Sequence, residues 1–91
     1  MYEANSPKEL KKLMKEDKFP ILVKDEKTIR VVEDLEEVKS GGEMGVIAGA
    51  TVVTLAIVTA VLFISLYALY KDKNVEIERN PDGSIKLKTS N

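Results

Sequence analysis

Cysteine and histidine are both absent from this chain of 91 residues. Without cysteine there is no disulfide framework and no thiolate nucleophile. Without either residue there is no imidazole base and no soft metal site. An excess of one charge is missing too: 14 Lys and Arg stand against 15 Asp and Glu, a net charge of −1. That balance leaves no electrostatic footprint for nucleic acid, which is not expected as a partner. The glycines are not followed by the Lys-Ser/Thr pair of a phosphate loop. Glu33, Asp34, Glu36 and Glu37 read as a solvated helix face, with nothing to suggest burial or shifted ionisation. No catalytic, cofactor or metal site is expected, and the chain reads as a non-enzyme. The opening MYEANSPKELKKLM also lacks the basic-then-apolar order of a secretory signal.

What the sequence does contain is one long stretch without charge. Residues 44–70, MGVIAGATVVTLAIVTAVLFISLYALY, hold no Asp, Glu, Lys or Arg. As one helix the stretch would reach about 40 Å, more than the ~30 Å of a bilayer's hydrocarbon core. The expected fold class is therefore a membrane protein with a single transmembrane α-helix, flanked by a small α-β-α N-terminal region and a C-terminal β-hairpin. The expected divisions are a juxtamembrane region at 1–40, a glycine hinge at 41–43, the span at 44–70 and the hairpin tail at 71–91. Tyr67 and Tyr70 would lie at the lipid interface, with Lys71 and Lys73 snorkelling beyond them. Gly41, Gly45 and Gly49 form a GxxxGxxxG series that Ala56 and Ala60 continue, a face along which two helices could approach closely. Thr51, Thr54, Thr59 and Ser65 are expected to bond back to carbonyls within the helix.

The flanks carry local signals. Ser6-Pro7-Lys8-Glu9 reads as a helix start, with Ser6 as cap, Pro7 in the first turn and Glu9 completing a capping box. Leu10, Leu13 and Met14 then give a narrow apolar stripe among lysines. Phe19 to Val23 reads as an edge strand with Pro20 near its start. Val31, Leu35 and Val38 predict a helix over 28–39. Residues 1–5 are expected to fray. Beyond the span, two alternating runs bracket Asn80-Pro81-Asp82-Gly83, which suits a type I turn with a glycine bulge. Val75, Ile77, Ile85 and Leu87 would share one face of that hairpin, whose cover must come from elsewhere, because a span would separate it from the N-terminal region.

These features predict a single-pass structural or interaction protein that self-associates along its glycine face. The expected partners are the lipid bilayer, further copies of the chain, and another membrane or surface protein. Lys71, Lys73 and Arg79 outnumber Arg30 and Lys39 near the span, which favours a cytoplasmic C-terminus. The small-residue span, the Tyr-Ala-Leu-Tyr-Lys exit and the NPDG hairpin loosely resemble small bacterial single-span membrane proteins, a likeness that implies no activity. Leu35, Val38 and Ser40-Gly41-Gly42 resemble the end of a double-glycine leader of the bacteriocin-exporter type. That resemblance implies an alternative: residues 1–41 or 1–42 as a leader and the remainder as a secreted membrane-active peptide. A filament subunit is the third reading.

Overall fold

The computed structural model describes residues 1–41 and 58–90. Seven elements lie among them: β1 (Tyr2–Ala4), α1 (Pro7–Lys15), β2 (Ile21–Val23), α2 (Glu26–Gly41), α3 (Ala60–Asp72), β3 (Val75–Arg79) and β4 (Ile85–Thr89).

Local chemistry starts each helix and stops the first. Ser6 caps α1, its hydroxyl accepting from the Glu9 N–H at 3.1 Å. Glu9 reaches back one residue further than a capping box requires, taking the Asn5 N–H at 2.8 Å. The same helix ends in a Schellman motif: Asp17 adopts φ 56°, its N–H donates to Met14 O, and the Lys18 N–H donates to Leu13 O. Asp25 caps α2, its carboxylate accepting from the Thr28 N–H at 3.0 Å and the Thr28 hydroxyl at 2.7 Å. Those bonds hold the Asp25 pKa below the usual carboxylate range. Helix α3 starts at Thr59, an extended residue at φ −70°, ψ 158° whose hydroxyl accepts from the Leu62 N–H.

The strands form one mixed sheet in the order β1-β2-β4-β3. β1 and β2 are parallel, joined through α1, while β2–β4 and β4–β3 are antiparallel. Alternation puts Ala4, Ile21, Val23, Val75, Ile85 and Leu87 on the buried side. Glu3, Leu22, Lys86 and Glu78 run in one row across the opposite side, with three of the four charged. The buried side packs with Leu10 and Met14 of α1, Val31, Val32, Leu35 and Val38 of α2, and Phe63, Leu66 and Tyr70 of α3 in a common core. The NPDG turn closes β3 onto β4 as expected: Gly83 has φ +94°, its N–H donates to Asn80 O, and the Asn80 N–H donates to Ser84 O.

The single-span fold class is thereby corrected. Among the described residues, no helix is long and apolar enough to cross a membrane. A continuous helix over 44–70 is interrupted at Val58 and Thr59, which are not helical. The 13 residues of α3 reach only about 20 Å. Its large inward side chains, Phe63, Leu66 and Tyr70, are fully or almost fully buried by protein. The sheet and the two other helices together supply the apolar side chains that enclose them. With the span goes the assignment of a single-pass membrane location and a cytoplasmic C-terminus. The barrier expected between hairpin and N-terminal region goes as well, since Ile21 pairs with Leu87 and Val23 with Ile85. Residues 1–5 are not frayed, because Tyr2–Ala4 adds a parallel strand to β2.

Candidate functional site

Each residue singled out in the sequence has a definite place, or lies outside the described residues. Gly45, Gly49 and Ala56 belong to the latter group, as do Thr51 and Thr54. Gly41 is the last residue of α2 and Ala60 the first of α3, so these two ends of the small-residue series stand on different helices. Ser65 does bond back within its helix, donating to Val61 O at 2.9 Å, whereas Thr59 serves as a cap.

The four residues assigned to a lipid interface make protein contacts. Tyr70 is fully buried, and its hydroxyl donates to the Glu36 carboxylate of α2. Burial, and then that carboxylate, drives the phenol pKa far above its ordinary value. Lys39 completes the cluster, its Nζ lying 5.4 Å from the Tyr70 ring centroid and donating to Val75 O at 2.9 Å. Lys73 pairs with Asp17 at 2.9 Å, a contact that raises its pKa and ties the end of α3 to the end of α1. Lys71 sits over the Tyr67 ring at 5.8 Å. In the turn, the Asp82 carboxylate accepts from both the N–H and the hydroxyl of Ser84, which lowers its pKa. Pro81, Asp82 and Gly83 are exposed and Asn80 is half-buried.

The acids of α2 divide by position. Glu33 pairs with Arg79 of β3 at 2.9 Å, and Glu36 holds Tyr70. Burial, reinforced by nearby Glu37, raises the Asp34 pKa above its usual range, an effect not legible from the run of acids alone. These acids do not converge: among the described residues no three His, Cys, Asp or Glu side chains are grouped to hold a metal ion.

What remains is a surface that sequence reading missed. Val61 is 75% exposed and Ile64 is 55% exposed. With Ala68 they follow i, i+3, i+7 along α3, on the side away from Phe63, Leu66 and Tyr70. Val61 also lines an open groove of about 380 Å³ between α1 and the start of α3, together with Val58, Thr59 and Leu62. Lys8 and Lys11, one turn apart on α1, form its other wall. A uniformly apolar sequence hid this surface, since both faces of α3 read alike until its partners are known. A second depression of about 410 Å³, beside β1 and the outer side of α1, mixes Glu3, Glu9 and Glu16 with Lys12 and Lys18 and has no dominant charge.

Comparison of the chain with protein-family models, curated proteins and solved structures returns no match.

Proposed function

We propose that the chain is a protein-interaction module, not a catalyst, and that it docks partners on the face formed by α3 and the first half of α1. The observation that carries this reading is the exposure of Val61 and Ile64 on a helix whose opposite side is fully engaged in the core. Scattered apolar side chains are ordinary on protein surfaces, but an apolar stripe running into an apolar groove is typical of a recognition surface. The absence of His and Cys from the sequence supports the non-catalytic part of the proposal.

Self-association is a second reading of the same face. Ala60 and Ala68 are exposed on either side of Ile64, and small side chains let helices approach closely. The leader reading fares less well, because removing residues 1–41 would take away β1, α1, β2 and α2, which bury Leu10, Ile21, Val31 and Leu35 in the common core.

A photo-crosslinking residue placed at Ile64 and, as control, at Glu76 on the open side of the sheet tests the proposal in the native cell. The expected outcome is a discrete adduct from position 64 alone, identified by mass spectrometry. Equal labelling from both positions, or none from 64, would overturn the reading.

A further inference from the structure

The α1–α3 groove carries a sign as well as a shape. Its apolar lining is Val58, Val61 and Leu62, and both charged residues along it, Lys8 and Lys11, are cations. Elsewhere on the surface, ion pairs join Lys18 to Glu16, Lys73 to Asp17, Arg79 to Glu33 and Lys88 to Glu78. Among the described residues, Lys8 and Lys11 have no such counter-ion. We infer that this groove takes an acidic amphipathic helix from another protein, its apolar side chains on Val58, Val61 and Leu62 and its flanking carboxylates against Lys8 and Lys11. This inference rests on the interaction face proposed above and specifies its partner.

A helix laid in a groove is read through apolar anchors one turn apart, and an open trough beside α3 offers a line of contacts, not an enclosed cavity. Complementary charge along the edge sets orientation and rejects partners of the wrong sign. A second copy of this chain is a poorer fit. Its exposed acids Glu33 and Glu37 stand on α2, where Val31, Leu35 and Val38 are already committed to the core. Among the described residues, no helix of this chain presents acids beside free large apolar side chains.

The test uses the full chain and two synthetic amphipathic helices that share a leucine face, one flanked by glutamates and the other by lysines. Fluorescence anisotropy at low ionic strength should show the glutamate peptide binding about five- to tenfold tighter, a preference that fades as salt rises. The double variant Lys8→Glu/Lys11→Glu should reverse the preference, which a merely structural role for these lysines would not do. Circular dichroism confirms that the variant is folded. Equal binding of both peptides, lost in Val61→Lys, would overturn the acidic partner while leaving the interaction face intact. Failure of both peptides to bind, with no adduct from position 64 in the cell, would overturn the face and this inference together.

Discussion

Tyr70 shows how one side chain can be read correctly as amphipathic and yet placed in the wrong surroundings. Its ring fills the core while its hydroxyl reaches the half-buried edge where Glu36 accepts the bond. Tyr70→Phe removes a hydrogen bond to a charged group and should cost about 1.5–3 kcal/mol of unfolding free energy, measured in urea. The phenol pKa in the folded state is raised above its ordinary value of 10.0. The bond's contribution is therefore fully present below pH 10 and is lost as the pH rises above it. Wild-type protein should lose stability more steeply than Tyr70→Phe between pH 10 and the alkaline limit of the urea titration. Parallel pH profiles would show that the hydroxyl does not couple to ionisation. Gly83 is a cleaner case, because a Cβ there would meet nothing within 4 Å, so that only φ +94° opposes a side chain. Gly83→Val should cost about 2 kcal/mol through backbone strain alone, with Gly83→Ala costing less. Equal stability of wild type and Gly83→Val would remove the bulge from the account of the hairpin.

Helix α3 is the element in which two readings of one apolar run can be told apart. Lipid would accept apolar side chains all round, whereas a core distinguishes the buried side from the exposed one. Phe63 is 1% exposed and Ile64 is 55% exposed, although they are neighbours in sequence. Phe63→Ala should therefore cost about 3–5 kcal/mol in guanidinium unfolding, and Ile64→Ala about 0.5 kcal/mol. Similar costs at the two positions would contradict the orientation of α3. Helix α2 offers a second test at its N-terminus. The Asp25 pKa is lowered in the folded protein, so its capping bonds are present above the ordinary carboxylate pKa of 3.8 and are lost as pH falls through the folded value. Asp25→Ala should lower the melting temperature at neutral pH, and the difference from wild type should close in strong acid. A constant difference down to low pH would show that the carboxylate's ionisation is not what caps the helix.

For the whole molecule, the decisive contact is the pairing of β2 with β4. It joins residues 21–23 to residues 85–87 and makes β4 an interior strand of the sheet. The apolar face of the hairpin thus gains cover from helices drawn from both ends of the chain. Because the elements share one core, they should unfold as a unit. Native-state hydrogen exchange should place the hydrogen-bonded amides of β2 and β4 in the same slowest class. Slow exchange confined to the β3–β4 hairpin, with β2 exchanging freely, would mean that the two parts are independent.

Sequence alone determined the features whose causes lie within a few residues. Ser6 caps the helix that Pro7 begins, Val31, Leu35 and Val38 share one helix face, and Asn80 to Gly83 close a hairpin, because each depends on neighbours in the chain. Tertiary structure decided the solvent that the apolar run around Phe63, Leu66 and Tyr70 meets. The run's apolarity fixes only that it leaves water; lipid and a protein core satisfy that requirement equally well. It also decided the candidate site, since Lys8 and Lys11 meet Val61 only when α1 packs beside α3. No local pattern encodes that approach. Among the described residues, it follows from four strands and three helices finding a common way to bury what none of them can bury alone.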